Sequence, residues 1–67
     1  MKTGRIISYN NDRGFGWLRN SDGGPDLFVH VSEFPRGYDP VIGQNVSFEI
    51  EFDDRRGKTK AVGVRLI

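Results

Sequence analysis

The chain has 67 residues, with ten Lys and Arg against nine Asp and Glu, one His and no Cys. This length allows one domain with a small core, the missing cysteine excludes disulfides and thiolate metal sites, and a single histidine excludes a His-rich zinc site. No apolar run reaches the roughly 20 residues of a membrane span, and the first residues lack the apolar segment of a signal peptide. We therefore expect one domain over residues 1–67, a cytoplasmic monomer without metal, cofactor or membrane contact.

The order of apolar and turn residues predicts five β-strands and no helix. The apolar residues are mostly aromatic or β-branched, which favours strands, and turns rich in Gly, Asn, Asp and Pro recur at short spacing. The predicted strands cover residues 4–9, 14–19, 26–31, 45–52 and 58–66. Five short strands with no room for helices predict an all-β fold, either a small barrel or a sandwich.

The first strand contains two adjacent apolar residues, Ile6 and Ile7. Side chains alternate between the two faces of a strand, so Ile6 is expected in the core and Ile7 on the other face. Both can point inward only if the strand contains a bulge.

The second and third strands separate aliphatic from aromatic residues by their alternation. Leu18, Leu27 and Val29 form an aliphatic set with the character of a core. The residues on the opposite face are Phe15, Trp17, Phe28 and His30. We expect these four rings on the outer surface, with Gly14 and Gly16 leaving the backbone and the ring faces open to a partner. In the inverted alternative, the rings form the core and the three aliphatic residues face water.

The fourth and fifth strands supply the rest of the predicted core. The inward set of the fourth strand is Val46, Phe48, Ile50 and Phe52, which alternate with the outward Ser47, Glu49 and Glu51. In the fifth strand the predicted inward residues are Val62, Val64 and Leu66, with Ala61, Gly63 and Arg65 on the other face.

The charges are unevenly distributed along the chain. Both ends carry mainly basic residues, and the charged residues within 20–54 are mostly acidic. A basic face is therefore expected if the two ends meet in space. Arg13 and Arg19 bracket the second strand, and Lys2, Arg5, Lys58 and Lys60 are expected at the margins of the rings. Tyr9 and Tyr38 are further stacking candidates, the latter either as a mobile lid or as a cap on the barrel. Rings that stack on bases, beside cations that pair with phosphates, are typical of single-strand nucleic-acid binding.

Two segments carry a family resemblance. The stretch Arg13-Gly14-Phe15-Gly16-Trp17-Leu18 resembles the first nucleic-acid motif of the cold-shock domain family, and Leu27-Phe28-Val29-His30-Val31-Ser32 resembles the second. The likeness extends over nearly the whole chain. It implies a five-stranded antiparallel Greek-key barrel of the OB type that binds single-stranded RNA and DNA, as an RNA chaperone or a modulator of transcription or translation. The family's stacking positions match Phe15, Trp17, Phe28 and His30, with Tyr9 and Tyr38 at two further aromatic positions.

The chain departs from the family pattern at three positions. Ser8 stands where the family usually has an exposed Trp, Val31 where many bacterial members have Phe, and Ile7 where Lys is frequent. Two stacking surfaces are thus missing or reduced, which predicts the same mode of binding with one of three consequences: weaker binding, a preference for shorter sites, or a larger protein that supplies other contacts.

Other functional classes are less consistent with the sequence. An RNA-recognition motif of the RRM type needs two helices that this chain has no room for. No Ser or Cys nucleophile is paired with a base, so no enzyme is expected. The alternatives are a small barrel that binds a peptide on its aromatic face, or the N-terminal domain of a larger protein. Salt separates the first of these from a nucleic-acid binder, because phosphate binding weakens steeply with salt.

Overall fold

The computed structural model describes all 67 residues and contains five strands and one 3₁₀ turn. The elements are β1 (Lys2–Asn10), β2 (Phe15–Asn20), β3 (Leu27–His30), the turn η1 (Val31–Glu33), β4 (Asn45–Asp53) and β5 (Lys58–Leu66). The predicted strands agree with these within two residues. The third strand ends at His30 because the chain turns into η1 there. The structure contains no helix with the length and apolar character needed to cross a membrane.

The strands close into a barrel in the order β1-β2-β3-β5-β4. Neighbouring strands are antiparallel, except that β3 and β5 meet in a parallel contact between Phe28 and Lys60. The Glu33 carboxylate also accepts a hydrogen bond of 3.0 Å from the Gly63 backbone N–H, which ties η1 to β5. The predicted all-β barrel of the OB type is confirmed.

The core consists of nine buried apolar side chains drawn from every strand and from one loop. They are Ile6, Leu18, Leu27, Val29, Phe34, Val46, Phe48, Ala61 and Val64. The prediction that Leu18, Leu27 and Val29 point inward is confirmed, and the inverted alternative is wrong. Phe34 was not predicted, because it follows η1 in a segment with no strand pattern.

A one-residue bulge in β1 resolves the pair of adjacent isoleucines. Ile6 lies opposite Leu18, and the next paired residues are Ser8 and Trp17, so Ile7 has no partner on β2. Ile6 is fully buried, whereas Ile7 is half-buried. The extra residue lets Ile6 enter the core while Ser8 lies on the outer surface opposite Trp17.

The second half of β4 extends past the core, which corrects the prediction for this strand. Ile50 is 39% exposed and Phe52 is 57% exposed, although both share the inward alternation of Phe48. The pairing of β1 with β4 stops at Lys2 and Phe48, so the residues beyond it pair with β5 alone. Ser47 also differs from the prediction, since it is buried between its cross-strand neighbours Thr3 and Arg65.

A second bulge changes the alternation of β5. Ser47 pairs with Arg65, but Glu49 pairs with Val62, so two residues of β5 face Phe48 alone. Gly63 lies in this bulge with a φ of 59°, a conformation that glycine adopts readily. Ala61 and Val64 therefore both reach the core. The predicted inward set is therefore wrong for Val62, which is half-buried outside the core and pairs with Glu49. It is also wrong for Leu66, which is 43% exposed, and Ala61 is fully buried instead of facing outward.

Two phenylalanines of β4 test this division of the strand. Phe48→Ala should lower the free energy of unfolding by about 3–5 kcal/mol, because it leaves a cavity in a small core. Phe52→Ala should lower it by about 1 kcal/mol or less, since the ring is mostly exposed. Urea denaturation of both variants measures the difference. Equal losses would contradict the observed end of the core.

Candidate nucleic-acid interface

The strand register arranges the outward side chains in rows across the barrel. One row passes through Ser8, Trp17, Phe28, Lys60 and Glu51, one residue from each strand. The next row contains Asn10, Phe15 and His30. The four rings predicted for the outer surface thus occupy adjacent positions on β2 and β3.

Phe28 is in contact with both of the other large rings. Its centroid lies 5.5 Å from that of Phe15 at an interplanar angle of 34°, and 5.8 Å from that of Trp17 at 79°. Phe15 and Phe28 are half-buried, and Trp17 is 38% exposed. These three side chains form a continuous apolar surface, which we call the ring face, and His30 extends it opposite Phe15.

Gly16 supports the ring face from behind and is itself buried. A Cβ at this position would overlap the carbonyl oxygen of Ser8 and lie 3.0 Å from the Tyr9 ring. Its role is therefore the close approach of β1 to β2, which corrects the expectation that it leaves the surface open to a partner. Gly14 serves the preceding turn, where its φ is 72°.

Cations border the ring face on the β5 side. The guanidinium carbon of Arg56 lies 6.0 Å from the Phe28 centroid, within the range of a cation–π contact. Lys60 stands beside Phe28 and pairs with Glu51 at 3.6 Å, and Lys58 lies two residues before it. Sequence reasoning missed Arg56, because a turn residue has no strand alternation that assigns it to a face.

Further cations lie along β1 and β2. Arg19 follows Trp17 on the same face of β2 and pairs with Asp26 at 3.5 Å, and Arg5 lies directly opposite Arg19. Arg13 lies in the turn that leads into Phe15. Lys2 is farther away and pairs with Asp22 at 3.3 Å.

The two basic ends of the chain do not meet to form one face. The acidic strand β4 lies between β1 and β5 on one side of the barrel. On the other side, β2 and β3 lie between them, so β1 and β5 border the ring face from its two edges. The cations of the two ends therefore flank the rings instead of forming a separate basic patch.

The two predicted tyrosines lie off the ring face. Tyr9 is opposite Gly16, on the inner side of β1, and packs edge-on against Phe34 at 5.9 Å and 87°. It also lines an open depression of about 750 Å³ together with Ile7, Phe15 and Ile42. Tyr38 packs on Phe34 with the centroids 6.0 Å apart and with its hydroxyl buried. Of the two predicted roles for Tyr38, this packing favours the cap on the barrel, and the role itself stays a prediction.

His30 differs from the other rings because its side chain is also a hydrogen-bonding partner of the backbone. It ends β3, and its Nδ1 accepts a hydrogen bond of 3.2 Å from the Ser32 N–H. No group of three or more His, Cys, Asp or Glu side chains is placed to hold a metal ion. The chemistry available at this surface is thus stacking, hydrogen bonding and charge pairing.

Three comparisons place the chain among known proteins. Residues 2–67 match the family model described as the 'Cold-shock' DNA-binding domain. Cold shock protein CspA of Rhizobium meliloti is 36% identical over 97% of both chains. Cold shock-like protein CspC of Escherichia coli K12 is 39% identical over 96% of this chain and 93% of its own. The solved structure of drosophila Unr CSD456 superposes with a TM-score of 0.82 at 24% identity. The superposition includes 98% of the present chain, which spans only 26% of the length of the Unr chain. That superposition supports the barrel fold.

The buried hydroxyl of Tyr38 gives a test of its capping role. This oxygen makes no hydrogen bond to the rest of the protein, and a buried polar atom without a partner destabilises a fold by about 1–3 kcal/mol. Tyr38→Phe should therefore raise the melting temperature, whereas Tyr38→Ala should lower it by removing the contact with Phe34. A lid that is free of the core would give unchanged melting temperatures in both variants.

Proposed function

Because the chain belongs to the cold-shock DNA-binding domain family, whose members bind single-stranded nucleic acids and are not enzymes, we propose that it binds single-stranded RNA and DNA by stacking bases on the ring face. The observation that carries this proposal is the continuous contact of Phe15, Phe28 and Trp17 on the outer surface of a closed barrel. Rings in a small domain stabilise it more when they are buried, so their outward placement is best explained by a ligand.

Stacking accounts for the apolar half of the proposed binding. Every base presents a π-face, and each stacked base contributes about 1–3 kcal/mol. Adjacent strands are roughly 4.8 Å apart, so the rings of β2 and β3 offer neighbouring positions for successive bases. A duplex keeps its bases stacked on each other and presents none of these faces to the protein, which favours single strands.

Cations account for the charged half. Arg56 and Lys60 lie at the β5 edge of the rings. Arg13 lies in the turn before β2, and Arg19 lies near the end of that strand. We propose that Arg5, Arg13, Arg19, Arg56, Lys58 and Lys60 pair with backbone phosphates. Release of counterions from these phosphates makes such binding salt-dependent, with a slope of about −0.7 per phosphate neutralised on a single strand.

The biological role within this proposal is that of a cytoplasmic monomer that acts as an RNA chaperone or modulates transcription or translation. A surface that stacks on bases reads no donor–acceptor code at most positions, which suits a protein that keeps many sequences single-stranded. Within this proposal Tyr9 stays a stacking candidate, because it lines the open depression beside Phe15. Tyr38 stays a candidate at the margin, where it packs on Phe34.

Substitutions of Phe28 and Phe52, together with the fluorescence of Trp17, test the mode of binding. Oligo-dT should quench Trp17 fluorescence, and a duplex of equal length should have a much smaller effect. Phe28→Ala should weaken oligo-dT binding about fivefold to a hundredfold, corresponding to one stacked base. Phe52→Ala is the matched control, because this ring is exposed away from the ring face and its loss should leave the affinity unchanged.

Salt titration in the same assay separates nucleic-acid binding from peptide binding. A steep loss of affinity with added salt supports phosphate pairing. Equal effects of Phe28→Ala and Phe52→Ala, or an affinity insensitive to salt, would contradict the proposed interface.

Ser8 tests whether the ring face lacks one stacking position. It lies directly opposite Trp17 in the row of outward residues and is exposed. Ser8→Trp should place another ring beside Trp17 and tighten oligo-dT binding about fivefold to a hundredfold. The melting temperature should change little, because an exposed strand position accepts an aromatic residue. Unchanged affinity with an unchanged melting temperature would mean that position 8 lies off the path of the nucleic acid.

A further inference from the structure

The imidazole of His30 is held by Ser32 through two contacts on the same ring nitrogen. Nδ1 accepts a hydrogen bond from the Ser32 backbone N–H at 3.2 Å, and it lies 2.9 Å from the Ser32 hydroxyl oxygen. His30 is the N-terminal cap of η1. Its Nδ1 atom takes the place of the side-chain oxygen that Ser, Asn or Asp usually provides as the acceptor at such a position.

These contacts determine where the proton of the neutral imidazole resides. A backbone N–H can only donate, so the Nδ1 atom that it approaches must present a lone pair. The Ser32 hydroxyl can donate to the same lone pair. A neutral imidazole carries one proton, which must then be on Nε2.

The Nε2–H group points away from these contacts and has no hydrogen-bond partner within the chain. His30 is exposed and lies directly opposite Phe15 in the strand register. The Nε2–H of His30 is therefore a hydrogen-bond donor at the edge of the ring face, beside the Phe15 ring on which a base would stack.

We propose that His30 is a specificity-determining residue whose Nε2–H donates a hydrogen bond to a carbonyl oxygen of the base stacked on Phe15. This inference rests on the proposed function, because it requires a base at that position. A base with an amino group in the same place would bring a second donor against the Nε2–H, which is unfavourable. His30 therefore distinguishes bases by the groups on their edges, whereas the phenylalanines stack on any base. Ser32 is the positioning residue, since its N–H selects the tautomer.

The first test concerns the tautomer and needs no nucleic acid. Nitrogen-15 NMR of the His30 side chain, recorded at a pH where the ring is neutral, should report a protonated Nε2 and an unprotonated Nδ1. Ser32→Ala should leave this assignment unchanged, because the backbone N–H remains. Protonation of Nδ1, or a mixture of tautomers in the wild-type protein, would overturn the inference while leaving the stacking proposal intact.

The second test separates hydrogen bonding from stacking by changing both partners. Thymine is replaced, one position at a time along an oligo-dT, by difluorotoluene, which keeps the ring shape and lacks the carbonyl oxygens. Wild-type protein should lose about threefold to tenfold in affinity at one position, the range expected for a single hydrogen bond. In His30→Phe, which keeps an aromatic ring and removes the donor, the replacement at that position should have no effect.

The outcomes of the second test distinguish the two proposals. If wild type and His30→Phe discriminate equally, or if wild type tolerates the replacement at every position, His30 donates no hydrogen bond to a base. The stacking proposal survives that result as long as Phe28→Ala still weakens binding. If wild type does not bind oligo-dT, the proposed function itself fails. Melting curves check that His30→Phe is folded, since the substitution also removes the side-chain cap of η1.

Discussion

The one-residue bulge at Ile7 is the constraint on which the rest of the barrel and its outer surface depend. Before the bulge, the pair Ile6 and Leu18 belongs to the core, and after it the pair Ser8 and Trp17 belongs to the outer surface. Without the extra residue, the second half of β1 would present the opposite set of side chains. The close approach at Gly16, where any Cβ would meet the Ser8 carbonyl, keeps β1 tightly against β2 immediately beyond the bulge.

The bulge at Gly63 complements the one at Ile7 on the other side of the barrel. It brings both Ala61 and Val64 into the core, where strict alternation would bury only one of them. The N–H of the same glycine donates to the Glu33 carboxylate, so the irregular part of β5 is also where η1 is attached. Two local irregularities thus accompany the closure of five short strands around nine buried side chains.

Much of the fold and of the ring face could be predicted from alternation and composition. Leu18, Leu27 and Val29 separate cleanly from the rings because β2 and β3 contain no bulge. The predictions for β4 and β5 were less accurate for two physical reasons. The alternation of apolar and polar residues in β4 continues through Ile50 and Phe52, although β1 no longer pairs with this part of the strand. The sequence of β4 does not indicate where its neighbour β1 ends. The change of alternation at Gly63 requires a left-handed backbone conformation that the residue permits but does not demand.

The same reasons explain what could be predicted of the candidate site. Residues on regular strands, such as Trp17 and Phe28, were assigned to the correct face, whereas Arg56 in a turn was not. Tyr9 follows the bulge, so its inner position depended on a register that two adjacent isoleucines leave ambiguous. The roles of these residues in binding remain predictions, as does the hydrogen-bond donor at His30, which depends on a backbone N–H two residues away.

The overhanging end of the β4–β5 hairpin has a consequence for local stability. Its residues from Glu49 to Asp53 are paired on one side only, and neither Ile50 nor Phe52 belongs to the buried core. Such a segment opens at a lower free energy than the closed barrel and forms a separate unit of local unfolding. Arg56 lies at the tip of this hairpin and against Phe28. The cation that contacts the Phe28 ring therefore belongs to a segment expected to open before the closed barrel, whereas Phe28 itself is paired with Trp17 inside that barrel.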